Sequence, residues 1–170
     1  MHIIALAALF VVLAVIAYLV IVNNANAQVV AAEDNVSVYY TGRLQNGTVF
    51  NSNVGQRPFQ FTAGTNEVIE GFDNAVMGMK VGQNKTVTIP PSQAYGDVNQ
   101  SLIINMPVTE FGNQTVKAGM IITETSQQSG QHIEGKVIAV NSTTATVNFN
   151  PALAGDTLVF TIKVVSIQKK

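Results

Sequence analysis

The chain has 170 residues, a length that accommodates one ordinary domain or one domain with a small second module. Its residues are 47% hydrophobic and only 11% charged, and the formal net charge of −1 leaves no basic patch of the kind that nucleic-acid binding requires. The absence of cysteine excludes disulfides, thiolate nucleophiles and cysteine-ligated metal sites.

The N-terminus is strongly apolar. Ile3 to Val22 contains no charged residue, and about 20 such residues suffice to cross a bilayer as a helix. We therefore assign residues 1–22 to a transmembrane anchor and the mostly small and polar residues 23–34 to a linker. Two alternatives stay open. Ala25-Asn26-Ala27 matches a signal-peptidase site, which would release a secreted protein near Ala27, and the apolar run could instead form a buried core helix.

Short strands dominate the segment that follows. Val36 to Leu44 alternates with the period of a half-buried strand, and the Asn46-Gly47 turn leads into a return strand. Pro58 to Thr62 alternates again, and Lys85 to Ile89 predicts a further strand that ends at two prolines. These elements predict an antiparallel β-sheet.

One stretch changes to helical period. Over residues 67–80, Phe72, Val76 and Met79 recur at the spacing of one helix face. Gly82 follows as the stop signal that helices commonly have just past their last residue. The pattern predicts one short amphipathic helix.

Residues 97–148 differ in character, because strand-like pieces alternate with polar turns and no helical period occurs. The pieces are Leu102–Ile104, Met120–Thr125, Gly135–Val140 and Ala145–Phe149. Structureless loops longer than about 12–15 residues are uncommon, so we predict a small inserted β module. Leu158 to Ile167 is the predicted final strand, and it returns to a first domain made of residues 35–96 and 149–170.

Six short motifs occur in a fixed order outside the insertion: Tyr39-Tyr40-Thr41-Gly42, Asn46-Gly47-Thr48-Val49-Phe50, Pro58-Phe59-Gln60-Phe61, Glu67-Val68-Ile69-Glu70-Gly71-Phe72, Ala94-Tyr95-Gly96 and Leu158-Val159-Phe160. In order and spacing they resemble the FKBP-type peptidyl-prolyl cis–trans isomerases. The resemblance implies an α+β fold in which a small twisted antiparallel sheet wraps on one short helix. The insertion resembles the SlyD-like branch of the family, whose insert-in-flap domain occupies this position and binds unfolded chains.

The resemblance also implies an active-site pocket. Its walls would be Tyr40, Phe50, Phe59, Val68, Ile69, Tyr95 and Phe160. Its floor, commonly Trp in the family, would be Phe72, and Asn51 stands where the family usually has Asp. The second replacement removes a carboxylate, and with it any contribution of that charge to the rate.

Aromatic surfaces without ionised partners suit the rotation of an X–Pro bond. The barrier is about 18–20 kcal/mol because twisting breaks amide resonance. A pocket that removes water from the carbonyl, with a donor that binds the twisted state better, lowers this barrier by differential binding. Tyr95 could donate its hydroxyl and Ile69 its backbone N–H. The chemistry requires no cofactor or metal, and His2 and His132 are too few and too far apart in sequence to indicate a metal site.

We therefore predict a monomeric peptidyl-prolyl isomerase, anchored in the membrane and facing away from the cytoplasm, that acts on unfolded or proline-containing polypeptides and binds clients through its insert. Asn-x-Ser/Thr sequons give modest support to export; they begin at Asn35, Asn46, Asn84, Asn99, Asn113 and Asn141. Two alternatives stay open. A non-catalytic FKBP-fold holdase or binding module is favoured by Asn51 and Phe72, and a β-rich surface or adhesion protein is favoured by the sequons and the anchor.

Overall fold

A computed structural model describes residues 28–125 and 132–170. These residues form two compact units. The first consists of residues 28–89 together with Leu158–Lys170, and the second is Pro90–Thr157. The chain leaves the first unit after Ile89 and returns to it at Leu158, and these two residues are paired on neighbouring strands.

The first unit is a five-stranded antiparallel sheet with one short helix. Its strands are β1 (Asn35–Leu44), β2 (Val49–Ser52), β3 (Phe59–Thr62), β4 (Asn84–Ile89) and β9 (Leu158–Gln168). The strand order is β2-β1-β9-β4. The fifth strand, β3, pairs with the N-terminal part of β1, whereas β2 pairs with the C-terminal part of the same strand. All five correspond to predicted strands, with ends shifted by at most a few residues. The predicted α+β fold, an antiparallel sheet with one short helix among the described residues, is confirmed.

The helix of this unit, α1 (Glu70–Val76), is shorter than the helix predicted over residues 67–80. It ends because Met77 adopts an extended ψ of 132° and Gly78 a left-handed φ of 74°. A left-handed glycine is a common helix terminator. The prediction of Gly82 as the stop signal was therefore wrong, since Gly78 ends the helix one turn earlier.

The apolar face predicted for the helix is nevertheless present. Phe72 and Val76 are buried within α1, and Met79 is buried just beyond its end. Gly71 lies directly against Ile89 of β4, and a Cβ at this glycine would overlap the Ile89 side chain. Glycine at this position lets the helix approach the sheet closely, and Phe72 reaches the aromatic side chains of the sheet as a result.

The first unit begins earlier in the chain than a linker over residues 23–34 implies. Val30 is buried, and its backbone pairs with the residues that follow α1. Asp34 is buried as well, and its carboxylate lies 2.7 Å from Lys169 Nζ. The predicted anchor over residues 1–22 lies outside the described residues. Within the described ranges, no helix has the length and hydropathy needed to cross a membrane.

The second unit is a four-stranded antiparallel sheet with the order β5-β8-β7-β6. Its strands are β5 (Ile103–Pro107), β6 (Ile121–Thr125), β7 (His132–Val140) and β8 (Thr144–Asn148). Val137, Ala145 and Val147 form its core, and half-buried side chains cover them; these are Met106, Phe111, Val116, Met120, Ile122 and Phe149. The sheet has its own core, so the unit is more than a long loop.

Candidate functional site

Five predicted site residues of the first unit are aromatic, and their rings form one connected cluster. The Tyr40 ring centroid lies 6.0 Å from that of Phe59, 5.7 Å from Phe72 and 6.0 Å from Phe160. The Phe160 ring in turn lies 5.6 Å from Phe50 and 5.2 Å from Phe72. Four of these five contacts are edge-to-face, with interplanar angles from 80° to 86°, the geometry that aromatic pairs favour. We call these five side chains the ring cluster.

The ring cluster has a buried base and an accessible rim. Phe72 and Phe160 are 4% and 5% exposed, whereas Phe59 is 38% exposed. Tyr40 and Phe50 are half-buried. Because none of the five side chains is charged at neutral pH, the rim offers an apolar surface on which a substrate can lose its hydration.

Gly42 of β1 supports the cluster and was missed from the sequence. Gly42 pairs with Asn51 and Arg43 with Val49, which leaves Phe50 as the extra residue of a β-bulge. A Cβ on Gly42 would lie 2.6 Å from the Phe50 ring and 2.9 Å from the Phe160 ring. Both rings therefore lie over a position where only glycine fits. The available signal was a glycine inside a predicted strand, which often marks a bulge or a close approach.

Two predicted wall residues, Val68 and Ile69, lie just before α1 and are half-buried. The Ile69 carbonyl accepts the N–H groups of Phe72 and Asp73 at 3.0 and 3.1 Å. Its own N–H donates to no partner within the described residues. This N–H is therefore available to a substrate carbonyl, and its role as a donor in the site stays a prediction.

Acidic side chains hold the segment between β3 and α1 in place. Asp73 is buried, and both of its carboxylate oxygens lie 2.9 Å from the Gly64 backbone nitrogen. The Glu67 carboxylate accepts the Thr62 N–H at 3.0 Å, and this hydrogen bond lowers the pKa of Glu67. Both groups serve to fix the turn that leads to Val68, so their part is structural.

Asn51 and Tyr95 take no part in the ring contacts described above. The Asn51 side chain is exposed on β2 and makes no hydrogen bond within the described residues. Tyr95 belongs to the second unit and is 44% exposed. The roles of both residues in the site stay predictions. In the part of the chain that the structure describes, no three His, Asp or Glu side chains lie close enough together to hold a metal ion.

Comparison with known proteins decides the family. The model of the FKBP-type peptidyl-prolyl cis–trans isomerases matches residues 26–165. The chain belongs to this family. It is 42% identical over 113 residues to the short-type peptidyl-prolyl cis–trans isomerase of Methanocaldococcus jannaschii, an alignment that covers 65% of this chain and 68% of the relative. It is also 28% identical over 121 residues to the FKBP-type isomerase SlyD of Helicobacter pylori, covering 71% of this chain and 65% of the relative.

This FKBP-type isomerase thus has the activity that its motifs predicted, the cis–trans isomerisation of peptidyl-prolyl bonds in proline-containing polypeptides. A third relative, FK506-binding protein 2 of Yarrowia lipolytica, is 49% identical over 72 residues, which cover 42% of this chain and 50% of the relative. The family assignment sets aside the β-rich surface or adhesion protein.

Proposed function

We propose that this isomerase rotates X–Pro bonds on the ring cluster of the first unit. The observation that carries the proposal is the convergence of five aromatic side chains from four strands and one helix at one place. A proline ring is apolar, and the accessible rim around Phe59 suits its binding. Val68 would extend this surface, and Asn51 and Tyr95 stay predicted members of the site.

The mechanism needs only preferential binding of the twisted imide. In the planar imide, resonance places negative charge on the carbonyl oxygen, and twisting the bond withdraws it. An apolar surface that excludes water therefore disfavours the planar form more than the twisted form. The free N–H of Ile69 can hold a neighbouring substrate carbonyl while the bond turns. Each 1.4 kcal/mol or so of preference for the twisted state accelerates the reaction about tenfold.

Adjacent tyrosines on β1 provide a matched test of the site. Tyr40 contacts three rings of the cluster, whereas Tyr39, also half-buried, contacts none of them. In a protease-coupled proline-isomerisation assay on the full chain, we expect Tyr40→Ala to lower kcat/KM at least about tenfold and Tyr39→Ala less than about twofold. Equal effects of the two changes would place the reaction elsewhere.

For the second unit we propose chaperone-like binding of unfolded clients. Its sheet leaves β5 and β6 as edge strands, which can pair with an extended client chain. Apolar side chains of β5, β6 and β7 are exposed and could bind such a chain through its own apolar residues; they are Ile104, Ile121, Ile133, Ile138 and Val140. The resemblance of the insertion to the SlyD-like branch, in which the insert binds unfolded chains, supports this proposal.

Edge strand β6 allows this binding to be tested with little disturbance of the core. Ile121 is 56% exposed, and Thr123, two residues further along the strand, is exposed as well. We expect Ile121→Ser to weaken the suppression of aggregation of a reduced, unfolded client and to leave the rate on a short proline peptide unchanged. Thr123→Ser is the control. Undiminished suppression by Ile121→Ser would contradict client binding at this edge.

We also propose that the isomerase acts as a membrane-anchored monomer on the outer side of the membrane. The apolar run from Ile3 to Val22 supports the anchor, and the first unit begins close behind it at Val30. Sequencing the N-terminus of the mature protein would distinguish an intact anchor from a chain that starts at Gln28 after cleavage. Release of the intact chain from membranes by alkaline carbonate would contradict anchoring.

A further inference from the structure

Tyr40 lies where one edge of β1 has no partner strand. On one side β1 pairs with β9 over its whole length, while on the other it pairs with β3 as far as Val38 and with β2 from Thr41 onward. Tyr39 and Tyr40 fall in the gap between those two strands. The regular pairing of β2 and of β3 therefore stops short of Tyr40, whose carbonyl accepts the Ser52 hydroxyl of β2 at 3.1 Å. The Tyr40 ring contacts three of the other four rings of the cluster.

Asn53, the residue that follows β2, fills the gap. Its Oδ1 accepts the Tyr40 N–H at 2.7 Å, and its Nδ2 donates to the Val38 carbonyl at 3.0 Å. Its backbone N–H donates to the Tyr40 carbonyl at 3.2 Å. Nδ2 also donates to the Arg57 carbonyl at 3.4 Å, in the turn that leads to β3. Asn53 is 8% exposed, so water competes little for these bonds.

We propose that Asn53 is a positioning residue of the isomerase, whose side-chain amide replaces the missing strand and sets where the Tyr40 ring stands in the ring cluster. The proposal rests on the proposed function, because it takes Tyr40 to be part of the site. A carboxamide carries an acceptor and a donor group at one end, the two kinds of group that a peptide unit of a partner strand offers. Aspartate has the same shape and keeps the acceptor, but its ionised form lacks the donors.

This difference makes the Asn53→Asp variant a pH-dependent probe of the gap. At pH 8 the introduced carboxylate would face the Val38 carbonyl oxygen without a hydrogen to share. We expect burial and the facing carbonyl oxygen, which favour the protonated form of such a carboxyl, to outweigh the Tyr40 N–H, which favours the ionised form. A proton should then return as the pH is lowered and restore a donor. The other titratable or charged side chains on the surrounding strands and turn include no carboxyl and no imidazole; they are Tyr39, Tyr40, Arg43, Arg57 and Lys163.

The experiment measures kcat/KM of the full chain from pH 8 to pH 5, with each variant expressed relative to wild type at the same pH. We expect the kcat/KM of Asn53→Asp to be about tenfold below wild type at pH 8, and this relative kcat/KM to rise at least about threefold by pH 5. Asn53→Ala should lose as much and regain nothing, because it introduces no carboxyl. Asn74→Asp makes the same change at an exposed position of α1 and should stay within about twofold at every pH.

The positioning role would be overturned if the kcat/KM of Asn53→Asp relative to wild type did not change between pH 8 and pH 5 while Tyr40→Ala had a strongly lowered kcat/KM. The proposed site would stay intact in that case. Loss of the circular dichroism of the folded state in both Asn53 variants at pH 8 and at pH 5 would also overturn it, since Asn53 would then serve the whole fold. A Tyr40→Ala variant with the wild-type rate would instead refute the proposed site, and the positioning role with it.

Discussion

Replacing Gly42 with alanine tests whether the placement of the rings limits the rate. The added Cβ would lie 2.6 Å from the nearest Phe50 atom and 2.9 Å from the nearest Phe160 atom. Non-bonded carbon atoms pack at about 3.5–4.0 Å, so at least one ring has to move by about 1 Å. No φ in the left-handed region occurs at Gly42, and the backbone itself therefore tolerates alanine.

The stability and the rate should respond to this change by different amounts. Overpacking of a protein interior costs about 1–3 kcal/mol, and we expect the lower end because the half-buried Phe50 ring can turn outward. A misplacement of about 1 Å in an active site can cost about a hundredfold in rate. We therefore expect kcat/KM of Gly42→Ala to fall about 10- to 100-fold while the free energy of unfolding falls by only about 1 kcal/mol.

Gly47, in the turn between β1 and β2, supplies the matched control. It has a φ of 88°, and nothing lies within 4 Å of a Cβ added to it. Gly47→Ala should therefore cost about 1 kcal/mol through backbone strain alone and leave kcat/KM unchanged. Urea unfolding and the proline-isomerisation assay on both variants measure the two quantities. Wild-type kcat/KM in Gly42→Ala, or an equal loss of kcat/KM in both variants, would refute the reasoning.

Phe72→Ala removes the buried base of the cluster, and urea unfolding should show a loss of about 3–5 kcal/mol; a loss below 1 kcal/mol would contradict its central packing. Lys169 and the Ala31 N–H lower the pKa of Asp34, so the ionised carboxylate stabilises the folded state above pH 4, and this contribution is lost as the pH falls through the lowered pKa. Lys169→Met should lower the Tm at pH 7 and flatten its decrease toward pH 2, whereas parallel Tm curves would argue against the pairing. Asn51→Asp introduces the carboxylate that the family usually has at this position. Because the position is exposed and its charge is screened, kcat/KM should change less than about threefold. A larger change would show a direct role of this side chain in the reaction.

The strands and the rings could be predicted from the sequence because their signals are local. Alternating residues mark each strand, and the order of the aromatic motifs identifies the family without any distance information. The end of α1 is a different case. Helical period continues through Met79, but the backbone turns at Gly78, whose N–H donates to the Val30 carbonyl at 2.9 Å. No local pattern contains that contact with a segment that lies about fifty positions earlier.

The same reason explains why Val30 and Asp34 were placed in a linker. Residues 23–34 have no periodicity in the sequence. The described part of this segment, residues 28–34, belongs to no helix and pairs with the rest of the unit only at single points. Asp34 is held by Lys169, the second-last residue of the chain. A contact between residues so far apart in the sequence cannot be recognised from the local composition around either of them.

The residues that support the ring cluster were missed for a reason that bears on catalysis. Motifs identify the rings, but Gly42 and Asn53 act through the register of β1 against β2 and β3, which becomes visible only when the strands are paired. Gly42 provides the space in which Phe50 and Phe160 lie, and Asn53 provides hydrogen bonds to the N–H and to the carbonyl of Tyr40. If a change at either support alters the rate while every ring is retained, the identity of the rings alone does not determine the rate of an isomerase of this family.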